Sequence, residues 1–202
     1  MAEAIIARTH DDRPLVFTQD EIGWDPWLEP LQAEELTDRH WAGLVDPSRA
    51  KSPYFMLLAR DPEILEARTK TDKDIFYNPS AGLPRAEREL SATAASRANG
   101  CIFCASVHAR FATTHSKRRD DVQRLLDEGV AVAIDARWNA IVAASVALTA
   151  TPVVFGATEI ERLRKVGLDD LAIADVIHGA AFFNWANRLM LSLGEPTAPE
   201  KR

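Results

Sequence analysis

The sequence has only two cysteines among its 202 residues, so disulfide bonds cannot be what holds the fold together. Its 47% hydrophobic content is enough to build a packed core without them. Basic residues are also fewer than acidic ones. The chain has 24 Lys and Arg against 30 Asp and Glu, which gives a net charge of -6. This balance argues against nucleic acid or an anionic membrane as a partner.

Long apolar runs are missing as well. The most apolar stretch, residues 141–150, is too short to span a bilayer. Residues 1–8 contain neither a basic region nor a long apolar core, so we expect no export signal. We therefore expect a soluble cytoplasmic protein. In that reducing compartment, a close pair of cysteines indicates redox chemistry or a metal site before a structural disulfide.

Alternation of polar and apolar residues, the pattern of a half-buried strand, is absent too, so the predicted fold class is all-α. We expect an irregular N-terminal arm over residues 1–32, a helical domain over 33–194 and a loose C-terminal tail over 195–202. Helical periodicity, proline and capping residues place the main helices. The predicted ranges are 33–45, 54–60, 62–76, 84–98, 101–114, 121–127, 135–150 and 170–193.

The two cysteines stand together as Cys101-x-x-Cys104, and His108 follows. Asn99-Gly100 ends the preceding helix, so the cysteines fall in the first turn of the next one. Residues three or four apart lie on the same side of a helix. Cys101, Cys104 and His108 therefore share one stripe, on which His108 is one turn from Cys104 and two turns from Cys101.

Two influences favour a thiolate, and they point to different sulfurs. The open N-terminus of a helix favours the thiolate of Cys101, whereas the imidazole of His108 favours that of Cys104. We give the histidine more weight because a nearby base also handles the proton, which a helix dipole cannot do. On this interpretation Cys104 attacks and Cys101 resolves the product into a disulfide.

A wider pattern surrounds the cysteine pair. Glu89, eleven residues, Cys101-x-x-Cys104, three residues and His108 together resemble the signature of the AhpD alkylhydroperoxidase family in the carboxymuconolactone decarboxylase-like superfamily. Residues 83–90 and 180–189 are similar to the peroxidase-related subgroup of that superfamily. The resemblance extends over residues 50–194.

This resemblance implies an AhpD-like helical bundle that assembles into a homo-oligomer, a trimer or hexamer. It implies that Cys104 is the peroxidatic cysteine, that Cys101 is the resolving cysteine, and that Glu89 and His108 relay protons. The activity implied is an antioxidant one, the reduction of a small-molecule hydroperoxide with an external dithiol as reductant and with no cofactor. Phe103 departs from the pattern, because AhpD-type enzymes often carry a histidine just before the second cysteine.

Three other readings of the sequence stay open. Cys101, Cys104, His108 and His115 have ligand side chains for a metal, although all four share one helix, whereas a structural zinc site draws its ligand pairs from separate segments. A decarboxylase is the second alternative, against which the cysteine pair counts. The third is a helical oligomer that retains the motif without catalysis.

Overall fold

A computed structural model describes residue 14 and residues 16–198 of the chain. The all-α prediction is confirmed: the described residues contain nine α-helices and one small sheet. Residues 1–13 and 15 of the N-terminal arm predicted for residues 1–32, and residues 199–202 of the predicted tail, lie outside this range, and the domain limits stay a prediction. The helices are α1 (Asp38–Leu44), α2 (Pro53–Leu58), α3 (Pro62–Tyr77), α4 (Arg85–Ala98), α5 (Ile102–Ser116), α6 (Arg119–Glu128), α7 (Ala136–Thr149), α8 (Ala157–Lys165) and α9 (Asp170–Leu193).

Helix α4 is the centre of the bundle. Every residue from position 87 to position 96 is buried, and α5, α7 and α9 pack around it. Most of these residues are alanine, serine or threonine, whose short side chains let neighbouring helices approach closely. The polar Glu89 is among them, so the fold places a carboxylate inside the bundle.

Helices α4 and α5 form an antiparallel hairpin. The turn between them is Asn99-Gly100, and Gly100 has a φ of +78°, a conformation that glycine adopts without strain. Cys101 follows as the N-cap residue of α5. The sequence signal that ended one helix and began the next therefore also sets where the cysteines lie.

Helix starts elsewhere follow their capping residues. The carboxylate of Asp61 accepts a hydrogen bond from the backbone N–H of Ile64 at 3.3 Å and so caps α3. Asp135 accepts one from Trp138 at 2.9 Å and caps α7. None of the described helices is long and apolar enough to cross a membrane. The predicted trimer or hexamer stays a prediction.

The single helix predicted for residues 33–45 is wrong. A 3-10 turn, Ala33–Glu35, is followed by two extended residues before α1 begins. Thr37 has a ψ of 170° and is the N-cap of α1, and its backbone N–H donates to Nδ1 of His40 at 3.0 Å. Threonine favours this position over a helix interior, which explains the break.

The expectation of no strand and of a wholly loose tail also needs correction. Strand β1 (Gly23–Pro26) pairs antiparallel with strand β2 (Gly194–Thr197), and Gly23 lies opposite Thr197. Each strand has only four residues, including a glycine and a proline, so neither shows apolar alternation. The pairing covers Trp24, which is buried, and ties the segment before α1 to the end of α9.

Gly194 provides a test of this pairing. A Cβ at Gly194 would lie 2.3 Å from the carbonyl oxygen of Asp25 and from the ring of Trp24, whereas a Cβ at Gly156 would meet nothing within 4 Å. We expect Gly194→Ser to lower the free energy of unfolding by about 1–3 kcal/mol, because overpacking forces the strands apart. Chemical denaturation measures the change. Gly156→Ser is the matched control, since serine suits its N-cap position, and an equal loss in both variants would contradict the prediction.

Candidate active site

The carboxylate of Glu89 is fully buried and has a partner at each oxygen. Oε2 lies 2.6 Å from Nδ1 of His108, and Oε1 accepts a hydrogen bond from Nε of Arg85 at 2.6 Å. An ionised carboxylate can only accept hydrogen bonds, so Nδ1 of His108 carries the proton and Nε2 is the nitrogen that exchanges one. Arg85, Glu89 and His108 therefore form a connected row, which we call the relay.

Two phenylalanines hold the imidazole of His108 in place. The ring of Phe183 lies edge-on to it with centroids 4.0 Å apart, and Phe76 lies at 5.2 Å. Phe76 comes from α3 and Phe183 from α9, so two further helices fix a side chain that α5 presents. A ring held on both sides keeps one orientation, as proton transfer requires.

The two cysteines are buried, with exposed fractions of 2% for Cys101 and 6% for Cys104, and both are free thiols. They border different cavities. Cys104 lines a cavity of about 240 Å³ together with His108 and Glu89, which we call the relay cavity. Cys101 lines a second cavity of about 160 Å³ beside Trp24. Phe103, on the helix turn between the two sulfurs, borders both cavities.

The thiols influence each other strongly. A hydrogen bond from the thiol of Cys104 lowers the pKa of Cys101, although burial opposes the change. The same hydrogen bond, together with burial, raises the pKa of Cys104 well above its ordinary value. Loss of the first proton therefore belongs to the pair and not to one sulfur.

His108 does not reach Cys104 through a direct hydrogen bond in the part of the chain that the structure describes, although the one-turn spacing suggested it. The two side chains meet instead as neighbours in the wall of the relay cavity. A substrate or a water in that cavity would be the bridge between them, which is a common arrangement for catalytic groups before the substrate binds.

Two asparagine residues support the thiol pair, and neither was predicted from the sequence to belong to the site. The side chain of Asn187 on α9 is fully buried and acts to lower the pKa of both thiols, while its amide N–H donates to Oγ of Ser96 at 3.0 Å. Asn99 in the hairpin turn donates to Oδ1 of Asn187 at 3.0 Å. Their signal in the sequence is weak, because asparagine is common in turns and at helix ends.

Arg85 is the other site residue that the sequence analysis missed. It lies four residues before Glu89 on α4, a spacing that places both side chains on one face of the helix. Its guanidinium also stacks on the ring of Tyr77, 4.0 Å from the ring centroid. The four-residue spacing from Glu89 could be read from the sequence. The burial of Glu89, which makes its ion pair with Arg85 important, could not.

A metal site finds no support in the described residues. No group of three or more His, Cys, Asp and Glu side chains is arranged to hold an ion among residues 14 and 16–198. His115, the fourth member of the metal alternative, is exposed, whereas Cys101, Cys104 and His108 are buried.

The comparisons with known proteins agree with this fold. Residues 62–150 match the carboxymuconolactone decarboxylase family, a range that includes the whole α4–α5 hairpin and therefore Glu89, both cysteines and His108. A comparison with curated proteins gave no significant match.

Several solved structures are similar. An uncharacterized peroxidase-related protein from Ralstonia eutropha JMP134, described as an alkylhydroperoxidase AhpD core, superposes with a TM-score of 0.69 at 20% identity, over 86% of this chain and 90% of that one. A peroxidase-related protein from Silicibacter sp. TM1040 gives a TM-score of 0.65 at 21% identity, over 93% of this chain and 92% of that one.

The debrominase Bmp8 has the same architecture, with a TM-score of 0.66 at 17% identity, over 81% of this chain and 88% of that one. At such low identities these neighbours establish the fold alone. The family match over residues 62–150 and the shared fold of these structures support an AhpD-like protein of the carboxymuconolactone decarboxylase superfamily.

Proposed function

We propose that the protein is a thiol-dependent hydroperoxide reductase in which Cys104 attacks the peroxide and Cys101 resolves the product. One observation carries this proposal: Cys104 lines the same cavity as the buried pair of Glu89 and His108. A thiol, a proton carrier and space for a small molecule thus meet at one place. This combination is what nucleophilic attack on an O–O bond needs.

In the first step the thiolate of Cys104 attacks the terminal oxygen of a hydroperoxide. The S–O bond forms and the O–O bond breaks, so the peroxide gains two electrons and Cys104 becomes a sulfenic acid. The departing alkoxide takes up a proton and leaves as an alcohol. Nε2 of His108 supplies this proton, and Glu89 stabilises the imidazolium that precedes the transfer.

In the second step the thiolate of Cys101 attacks the sulfur of the sulfenic acid. The S–S bond forms, and hydroxide leaves as water after taking up a proton. An external dithiol then reduces the disulfide by two exchange steps, in which it becomes a disulfide itself and both protein thiols are restored. Since Cys101 and Cys104 lie within one helical turn, little movement is needed to join them.

The lower pKa of Cys101 does not make it the attacking residue. The two thiols titrate as an interacting pair, so the first proton lost belongs to the pair and does not by itself identify the nucleophile. The sulfur that meets the oxidant beside the proton carrier then determines the product. In the relay cavity this sulfur belongs to Cys104.

The assignment of the two cysteines can be tested by trapping. We expect Cys101→Ser, treated with one equivalent of an alkyl hydroperoxide, to form a sulfenic acid at Cys104, because the resolving thiol is missing. Dimedone labelling and mass spectrometry would detect the adduct. The unaltered protein should lose two thiols and give no adduct. An adduct found only in Cys104→Ser would reverse the two roles.

The effect of each thiol on the pKa of the other leads to a second prediction. Cys104→Ala should raise the pKa of Cys101, since it removes the hydrogen-bond donor that lowers it. Cys101→Ala should lower the pKa of Cys104 toward its ordinary value, because it removes the largest cause of the increase. The ultraviolet absorbance of the thiolate, followed against pH, measures both shifts. Unchanged titration in either variant would show that the thiols do not interact.

The relay can be tested at Glu89. We expect Glu89→Gln to slow hydroperoxide reduction by about a hundredfold throughout the rate–pH profile, because the imidazole that supplies the proton loses the carboxylate that orients it. Stopped-flow measurements across pH would show the loss. Glu87→Gln is the matched control: Glu87 is also buried on α4, but its oxygens pair with Arg137 at 2.7 Å. An unchanged profile in Glu89→Gln would remove the carboxylate from the relay.

A second candidate activity comes from the fold neighbour Bmp8, a debrominase that was crystallised as a cysteine variant with 2,3,4-tribromopyrrole. A dithiol that supplies two electrons to a peroxide can also replace a C–Br bond by C–H, with release of bromide and formation of a disulfide. The relay cavity is lined largely by aromatic side chains that suit a flat ring. Bromide release from tribromopyrrole, without peroxide reduction, would favour this activity.

A further inference from the structure

Arg68 on α3 is a buried cation with unused hydrogen-bond donors. Its exposed fraction is 9%, and both Nε and Nη1 lie out of contact with solvent without any acceptor among the described residues. A guanidinium in this state is costly, since it has given up hydration without gaining a partner. Arg68 lines the relay cavity, so the missing acceptor has a place to bind.

The surroundings of Arg68 hold the guanidinium in position. Tyr54, Phe55 and Phe182 place their rings around it, with centroids 5.5, 5.6 and 5.5 Å from Cζ. Aromatic faces attract a cation but accept no strong hydrogen bond, so the N–H groups keep their donor capacity. The guanidinium is thus fixed in orientation and remains free to bind an anion.

Tyr54 adds another donor to the same wall of the cavity. It is buried, and its hydroxyl oxygen has no hydrogen-bond partner among the described residues. Burial raises the pKa of Tyr54, so its hydroxyl stays protonated and able to donate. Two buried and unpaired polar groups, both on the relay cavity, point to one missing ligand rather than to two separate faults in packing.

The other charged groups of the cavity do not fill this role. Arg85 already pairs with Glu89, as described above. Asp72, one turn after Arg68 on α3, also borders the cavity but forms no ion pair with Arg68 in the described part of the chain. Its negative charge acts on Arg49, where it raises the pKa against the larger lowering caused by burial.

We propose that Arg68 and Tyr54 form a carboxylate site in the relay cavity, so that the substrate is an organic hydroperoxide with a carboxylate at its other end. The planar fork of a guanidinium binds both oxygens of a carboxylate, and the tyrosine hydroxyl supplies one further donor. Other side chains that line the cavity, among them Phe76, Phe183 and Met190, are apolar and suit an aliphatic or aromatic body. This proposal rests on the proposed function for its peroxide end, but not for its carboxylate end.

The test compares 6-hydroperoxyhexanoic acid with its methyl ester, which has the same reactive group and no charge. We expect the unaltered protein to reduce the acid with the higher kcat/KM. Because the charge of Arg68 also lowers the pKa of Cys104, Arg68→Met should slow both substrates, but it should lower kcat/KM for the acid by roughly tenfold to a hundredfold more than that for the ester. Lys70→Met, which removes an exposed charge from the same helix, should change neither value. An equal loss for acid and ester in Arg68→Met would overturn the proposal, because Arg68 would then act on the thiol alone.

Binding provides a readout that does not depend on turnover. Calorimetry with hexanoate and with hexanamide measures whether the reduced protein prefers the anion, and we expect a preference that Arg68→Met abolishes and Tyr54→Phe weakens. If neither hydroperoxide is reduced while hexanoate still binds through Arg68, the reductase fails and the carboxylate site stands. Equal binding of hexanoate and hexanamide would overturn the site. Circular dichroism of each variant excludes loss of the fold as the cause.

Discussion

The buried carboxylate of Glu89 is the constraint on which the rest of the site depends. A negative charge in a fully buried position is costly unless positive or donating groups surround it. Arg85 and His108 supply these groups, each 2.6 Å from one oxygen. The same contacts link α4, the central helix, to the α5 histidine beside the cysteines. The contacts that stabilise the buried carboxylate of Glu89 therefore also hold the imidazole of His108 in position.

This arrangement explains why several helices contribute to so small a site. Helix α4 brings Glu89 into the core because its short residues allow α5, α7 and α9 to pack on every side. Helix α9 then contributes Phe183 against the imidazole and Asn187 against the sulfurs. Helix α3 contributes Phe76 and Arg68 to the wall of the relay cavity. Reactive groups from one hairpin are thus oriented by the helices around it.

Local features of the sequence were sufficient to predict the hairpin. Asn99-Gly100 set the turn, and helical spacing placed Cys101, Cys104 and His108 on one stripe, so these elements follow from short-range geometry. The strand pair of residues 23–26 and 194–197 could not be predicted in this way. Its partners are far apart in the chain, and four residues with glycine and proline carry no periodic signal. The single helix predicted for residues 33–45 failed for a different reason. Thr37 is the N-cap of α1 and interrupts the helix, although the residues on both sides of it have a helical pattern.

Burial of an individual side chain is the property that was hardest to predict from the sequence. Arg68 and Lys70 are two residues apart on α3 and look alike in the sequence, yet Arg68 is enclosed by aromatic rings and Lys70 is exposed. The difference arises because residues two apart lie on different faces of a helix, and only packing decides which face is inward. A cation without a carboxylate partner becomes informative only when it is shown to be buried. The relay cavity thus holds two kinds of group: the Cys104 thiol with its proton carrier, and the unpaired donors of Arg68 and Tyr54. A substrate that satisfies both has to be bifunctional, which is a stronger restriction than the cysteine motif alone imposes.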